Sequence, residues 1–344
     1  MTRKQKILNG ISDFIKEKES GFQDIRLENL NEITAGWEAE LFSFVLYYKH
    51  NGEEIVKKLV IRMYPSISEI HKLDTEYLIY KLLADLHYSV PKVYYKAKDL
   101  NYVGKPFLIM DWLTGGTLDE KLRSQPQESM LLFCQLFVEL HDLDWKPYSE
   151  KLLSNGISIL SIDSLLKRYE NRIKQNNLTE LQPINAWLKK RRKEVNNLDL
   201  SITHCDFHPY NILLNDEGDT FVIDWPSVKI TDYRFDLAST LVLNRIYSGK
   251  NLRDTLFRLY QQIAQKEIED IDFFEVIAIF RRMIGVMQVL LPGDNRIGLS
   301  DDIVDIIIDT IFHVENMNNY LEELTGIRIE KIDDLVNEAK NSIK

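Results

Sequence analysis

The sequence has little cysteine: Cys134 and Cys205 are the only two in 344 residues. Two thiols in a chain this long make neither a disulfide framework nor a cysteine-rich zinc site. Cys134, inside the apolar run "MLLFCQLFVEL", reads as a small core residue. No apolar run reaches the ~18 residues that a membrane span needs. The first twenty residues, "MTRKQKILNGISDFIKEKES", lack the apolar core of a signal peptide. The expectation is a cytoplasmic protein with no membrane partner. Positive charge is also short, with 43 Lys+Arg against 53 Asp+Glu and a formal net charge of −10. That balance argues against the basic face of a nucleic-acid binder. The acidic excess falls after residue 108, where it would either steer a cationic partner or keep the surface hydrated.

What remains is an ordinary globular composition, 44% hydrophobic and 28% charged, with enough apolar mass for a sizeable core. The length predicts one large two-part unit or two domains. Residues 4–19 carry Ile7, Leu8, Ile11, Phe14 and Ile15 at helical spacing. "IRLENLNEIT" alternates as a strand. "AELFSFVLYYKHNGEEIVKKLVIRMY" places two β-rich runs around Asn51-Gly52, a favoured two-residue hairpin turn. A helix is expected over 66–87, with Ile67, Ile70, Leu73, Tyr77, Tyr80 and Leu83 facing inward. Two short strands, "PKVYYKA" and "PFLIMDW", follow. After Gly115-Gly116 the apolar period is helical over 126–144, 160–176, 179–196, 234–248, 252–268, 272–291 and 301–324. The fold class is α+β, with a small antiparallel sheet and one helix over 1–111 and a larger helical part over 112–344.

One stretch interrupts the helices. "HCDFHPYNILLNDEGDTFVIDW", His204 to Trp225, holds two short strands, "ILLND" and "TFVIDW", around a turn at Glu217-Gly218. Asn211 follows Asp206 by five residues, and Asp224 follows Asn211 by thirteen. The two-strand excursion would return Asn211 and Asp224 to one edge. A carboxylate and an amide carbonyl are hard oxygen ligands of the kind Mg²⁺ takes together with phosphate oxygens. Asp206 is then left to accept a proton. Each of the three, taken singly, also suits a turn. The His-x-Asp-x-His cluster lacks the further histidines or cysteines of a transition-metal site.

His204-x-Asp206-x-x-x-x-Asn211 followed by Asp224 resembles the catalytic loop and metal-binding aspartate of the protein-kinase-like superfamily. "HCDFHPYNILL" and "IDWPSVKITDYRFDLA" resemble the aminoglycoside phosphotransferase and choline kinase branch. The absence of Asp-Phe-Gly, Ala-Pro-Glu and a long activation segment separates the chain from protein kinases.

The resemblance implies a two-lobed kinase-like fold and a set of further parts. A cation at the end of the third strand would hold nucleotide phosphates. Arg62 of "LVIRMY" stands there, where the family usually has lysine, with Lys58 as the fallback. Glu76 would orient that cation, with Glu69 as the alternative. Gly36 of "EITAGWEAELF" would lie in the turn over the phosphates, although G-x-G-x-x-G is missing. In "LIMDWLTGGTL", main-chain groups around Asp111 to Leu113 would bond a purine, with Met110 behind it. Asn211 and Asp224 would hold Mg²⁺, and Asp206 would be the catalytic base. Asp236 is either a helix cap or a brace beneath the loop, and Asp232 reads as a cap.

The implied activity is transfer of the γ-phosphate of ATP or GTP to a hydroxyl of a small acceptor. Asp254, Glu267, Glu269, Asp270, Asp272 and Glu275 suggest a cationic acceptor such as an aminoglycoside antibiotic, and hence antibiotic resistance. Choline, an amino sugar or a macrolide, or a silent nucleotide-binding module, are the alternatives.

Overall fold

The computed structural model describes residues 1–35, 39–195, 198–290 and 311–342. By internal contacts the chain divides into two compact units. One comprises residues 1–129, 146–157 and 209–228; the other comprises 130–145, 158–208 and 229–344.

The first unit is built on a five-stranded antiparallel sheet. Its strands are β1 (Gln23–Ala35), β2 (Glu40–His50), β3 (Glu53–Met63), β4 (Val93–Ala97) and β5 (Phe107–Asp111), in the order β1-β2-β3-β5-β4. Asn51 and Gly52 both have positive φ, 51° and 84°, as a two-residue turn of primed type requires. That turn fixes the register so that Leu41 lies opposite Arg62. Helix α1 (Arg3–Lys18) is capped by Thr2, whose hydroxyl accepts from Gln5 N–H at 3.2 Å. Its buried face, Ile7, Ile11, Phe14 and Ile15, packs with Phe42, Phe44, Ile61 and Phe107 of the sheet. Gly10 lets that helix approach closely, because a Cβ there would sit 1.9 Å from the Tyr102 carbonyl oxygen.

Helix α2 (Ile70–Asp85) follows β3. Its buried face differs from the expected one. Leu73, Tyr80 and Leu83 are buried as expected, but so are Glu76, Leu78, Ile79 and Leu82, while Ile70 and Tyr77 are only half-buried. The helix is covered over a broader arc than a 3.6-residue stripe suggests, and that arc includes a carboxylate. The hairpin of β7 (Ile212–Leu214) and β8 (Thr220–Val222) belongs to the same unit. It is tied to Gly115-Gly116 by Gly115 N–H to Leu214 O at 2.9 Å and Leu214 N–H to Gly116 O at 3.0 Å. A Cβ on Gly115 would fall 2.3 Å from Asn215 O, which is why glycine stands there.

The second unit is mainly helical. Its larger elements are α4 (Pro126–His141, after the short α3, Leu118–Ser124), α6 (Ile162–Gln175, after α5, Ser149–Ser154), α7 (Gln182–Arg191), α8 (Tyr233–Ser248), α9 (Lys250–Ala264), α10 (Ile271–Leu290), α11 (Ile311–Thr325) and α12 (Glu330–Ser342). The predicted helices over 126–144, 160–176, 179–196, 234–248, 252–268 and 272–291 all correspond to one of these. Of the one expected over 301–324, residues 301–310 lie outside the described residues. Phe273, Phe274, Ile277, Phe280 and Ile284 of α10 sit in its core with Tyr169, Phe235 and Leu321. An unexpected two-stranded sheet pairs β6 (Leu200–Thr203) with β9 (Lys229–Asp232), antiparallel, Leu200 opposite Asp232. These strands are four residues each, too short to show a period.

Helices α9 and α10 are joined by a buried ion pair. Arg253 Nε and Nη2 donate to Glu275 Oε1 and Oε2 at 2.9 and 2.6 Å, and Tyr320 Oη donates to Glu275 Oε1 at 2.8 Å. Burial raises the Glu275 pKa even against this partner. Removing one member leaves the other buried and uncompensated. Arg253→Ala should therefore lower unfolding free energy by about 3–5 kcal/mol in urea titration, and Asp254→Ala, whose carboxylate is more exposed, should lower it far less.

Candidate active site

In the first unit, three chain segments converge on one guanidinium. Arg62, near the end of β3, has a side chain only 13% exposed. Its Nε lies 3.2 Å from Glu76 Oε2 of α2, and its Nη2 donates to Asp224 Oδ1 at 3.1 Å. Tyr64 donates its hydroxyl to the same Glu76 oxygen, and Tyr80 Oη accepts from Asp224 N–H at 3.2 Å. Burial works against the charged guanidinium, but Glu76, then Tyr64 and Asp224, outweigh it and raise the Arg62 pKa. Arg62 is a fixed cation. Lys58 is exposed, and Glu69 pairs with Lys72 at 2.7 Å.

Asp224 follows β8 with φ of 68°, a left-handed conformation that costs a non-glycine residue roughly 1–3 kcal/mol. Asn211 precedes β7 and is buried. Its carbonyl oxygen accepts from Ile223 N–H at 2.9 Å, so the hairpin sets Asn211 beside the Ile223-Asp224 step. One carboxylate and one amide form a hard-oxygen donor set that fits Mg²⁺ with phosphate oxygens. Among the described residues no group of three or more His, Cys, Asp or Glu is arranged as a metal site.

Along 110–113, Met110 is buried in β5 between Val60 and Val93. Asp111 N–H donates to Lys92 O at 3.0 Å and Trp112 N–H to Lys58 O at 3.2 Å. The Asp111 carboxylate accepts from Tyr94 Oη at 2.8 Å. Leu113 makes no main-chain hydrogen bond among the described residues, which leaves its polar groups for a ligand. Gly36 lies outside the described residues.

Asp206 belongs to the second unit. The loop that carries it leaves β6 and is gripped by Asp236. Both oxygens of that buried carboxylate accept from the loop, Oδ2 from His204 N–H at 2.7 Å and Oδ1 from Cys205 N–H at 2.8 Å. His141 Nε2 stands 3.3 Å from Asp236 Oδ2, and His141 Nδ1 2.6 Å from Tyr260 Oη. Asp232 is the cap of α8, accepting from Arg234 N–H at 3.0 Å. Phe207 stacks on Phe137 with ring centroids 4.1 Å apart, and Thr240 Oγ1 donates to Phe207 O at 2.7 Å. Cys205 has φ of 65°. Anchored on both sides, the loop leaves the Asp206 side chain half exposed, with Oδ2 3.5 Å from His208 Nε2. Burial pushes the Asp206 pKa up, but the His208 hydrogen bond and the charges of His208, His204 and Arg282 bring it below the usual aspartate value. A group so placed is an ionised, weak base.

Sequence reading passed over Arg281 and Arg282, which line the Asp206 pocket. The signal was available in "IAIFRRMIGVM", two arginines inside an otherwise apolar helix.

The sequence profile of the "Phosphotransferase enzyme family" matches residues 32–272. No curated protein sequence matches the chain significantly. Among solved structures, a candidate aminoglycoside phosphotransferase from Ralstonia eutropha is 15% identical over 96% of this chain and 98% of that chain, with a TM-score of 0.63. The streptomycin–ATP complex of APH(2″)-IIa is 15% identical, over 93% and 98%, at 0.58. The Plasmodium vivax ethanolamine kinase Pv091845 is 14% identical, over 89% and 83%, at 0.55. At such identities the likeness is one of fold.

Asp236→Ala removes the acceptor for two buried loop N–H groups, each costing about 1–3 kcal/mol when unsatisfied. Hydrogen exchange at the His204 and Cys205 amides should accelerate well beyond that of the α10 amides, and the unfolding midpoint should fall.

Proposed function

We propose that this chain, which belongs to the phosphotransferase enzyme family, transfers the γ-phosphoryl group of ATP or GTP to a hydroxyl of a small molecule. The observation that carries the reading is the Arg62–Glu76–Asp224 constellation: a cation kept charged in a nearly buried place by two carboxylates from distant segments. A surface ion pair needs no such enclosure. A phosphate-binding cation does, because its fork must be held in one orientation before the ligand arrives.

In this reading Arg62, oriented by Glu76, takes α- and β-phosphate oxygens. Leu113, with Asp111 and Met110 beside it, offers the purine main-chain groups and an apolar backing. Asn211 and Asp224 would hold Mg²⁺, which when bound supplies positive charge to the phosphate oxygens. Asp206 orients the acceptor hydroxyl and receives its proton. A weakly basic carboxylate suits a loose transition state in which that proton leaves late, and alignment with charge stabilisation supplies most of the rate.

The acidic residues after 250 give little support to a cationic acceptor. Glu275 and Asp254 are paired with Arg253, and Asp270 and Asp272 with Arg191. Glu267 and Glu269 remain exposed. The residues beside Asp206 carry the opposite sign, Arg281 and Arg282.

Asp206→Ala should cut turnover by about 10²–10⁴-fold while Mg-nucleotide still raises the melting temperature. Asp224→Ala should weaken that thermal stabilisation as well. Turnover by Asp206→Ala at the wild-type rate would remove the assignment. The base also fixes a pH dependence. Its lowered pKa keeps Asp206 ionised through the neutral range, so the acid limb of kcat/KM should lie below the ordinary aspartate value, with no loss of base between pH 6 and 8.

A further inference from the structure

The pocket that contains Asp206 lies wholly within the second unit and has a volume of about 220 Å³. Pockets for drug-sized ligands run to about 300–1,000 Å³, so this one suits a smaller molecule. Its polar lining is restricted. Ser239 Oγ donates to Phe235 O at 2.8 Å and Thr240 Oγ1 to Phe207 O at 2.7 Å, which commits both hydroxyl protons. Burial pushes the Cys205 thiol up to about 12, so it is neither a nucleophile nor an anion. The donors left are the guanidinium groups of Arg281 and Arg282, adjacent on α10.

Several arginines of the unit are committed to carboxylates, although the exposed Arg168 and Arg258 are not among them. Arg191, Arg234, Arg245 and Arg253 each hold a carboxylate. Arg281 and Arg282 form no ion pair or side-chain hydrogen bond among the described residues. Burial depresses the Arg282 pKa and Arg281 adds to the effect; Tyr247 and Asp206 oppose it without restoring it. His313, whose ring lies 3.6 Å from that of Tyr247, has a buried Nδ1 without a partner among the described residues. Burial, then Arg282, hold that imidazole below its usual pKa. Among the described residues, positive charge is therefore concentrated and undercompensated beside the proposed base. An aminoglycoside or choline placed here would meet charge of its own sign. A carboxylate or phosphate would meet two planar forks that match it.

We infer that the hydroxyl presented to Asp206 belongs to a small anion, an alcohol bearing a carboxylate or phosphate group that Arg281 and Arg282 hold. This deepens the kinase reading and rests on it. In the transfer, the hydroxyl oxygen bonds to the γ-phosphorus and its proton passes to Asp206. The bond from that phosphorus to the β,γ-bridging oxygen breaks, and its electron pair leaves on the nucleoside diphosphate. The product is a phosphate ester that keeps the original anionic group.

The test is a set of acceptors offered to the full chain with Mg-ATP or Mg-GTP, read as nucleoside diphosphate release. Glycerate and gluconate carry a carboxylate, glycerol 3-phosphate a phosphate, glycerol no charge, and choline and kanamycin positive charge. At least one anion should exceed glycerol, choline and kanamycin by about tenfold or more in kcat/KM, the discrimination one charge-assisted hydrogen bond provides. The anion preferred, carboxylate or phosphate, identifies the group recognised. Arg281→Met, at an exposed position, and Arg282→Met should each lower that value about tenfold, chiefly through KM. Arg282→Glu should reverse the ratio between gluconate and choline. Equal losses for acceptors of every charge would place the arginines on the transferred phosphoryl group and overturn the inference. So would kanamycin or choline matching the best anion in the wild-type enzyme, or thermal stabilisation by Mg-nucleotide with no transfer to any anion. Neither stabilisation by nucleotide nor transfer to any acceptor would overturn the kinase reading itself.

Discussion

The grip of the Asp236 carboxylate on two consecutive loop amides is the constraint on which the arrangement around Asp206 depends. A loop that leaves a four-residue strand and passes through a left-handed cysteine has no regular partner for its main chain. Asp236 supplies one, with both oxygens, from the first turn of α8. Its own position is fixed by a chain of contacts: Asp232 caps the helix, Arg234 clamps Asp232 through Nε at 2.9 Å and Nη2 at 2.8 Å, and His141 closes the far side of Asp236. Charge-assisted hydrogen bonds in a buried site are stronger and more directional than neutral ones. They leave Asp206 with few orientations while its carboxylate stays accessible.

A second constraint of the same kind operates in the first unit. Arg62 sits where desolvation alone would make a cation costly, and Glu76 foremost, then Tyr64 and Asp224, offset that cost. An arginine has an advantage over a lysine in such a place. Its fork engages two carboxylates through different nitrogens, as the Nε and Nη2 contacts show, and still has donors to offer. Glu76 can perform this task only because α2 buries it. A solvated glutamate would lose most of the interaction to water.

Net charge and local charge point in opposite directions in this protein. The chain as a whole carries −10, yet the pocket at Asp206 is lined by two arginines without carboxylate partners among the described residues. The whole-chain value bears on solubility and long-range steering. Recognition depends on the few groups within hydrogen-bond reach, where the effective dielectric is low and screening is weak. The acidic residues of α9 and α10 are mostly answered by arginines of their own unit, so they add to the count but little to the field at a ligand.

The sequence by itself determined what local rules control. The five strands of the larger sheet, the Asn51-Gly52 turn and the helices α1, α2, α4 and α6 to α11 follow from periodicity and turn chemistry, since each is set by neighbours within about ten positions, whereas α3, α5 and α12 were not expected. The order and spacing of Asp206, Asn211 and Asp224, and of Arg62 and Glu76, carried the family. Tertiary structure alone decided which polar groups are buried. Nothing local in "LDTEYLIYKLL" shows that Glu76 lies on a covered face, or that Tyr64 and Tyr80 complete its surroundings. The β6–β9 pairing joins segments almost thirty residues apart, through strands too short to leave a pattern. Arg281 and Arg282 were visible as charges inside an apolar helix, but their place in the Asp206 pocket depends on how α10 packs on α8. Long-range packing sets burial, burial sets the strength of every charge, and that step cannot be read from the order of residues.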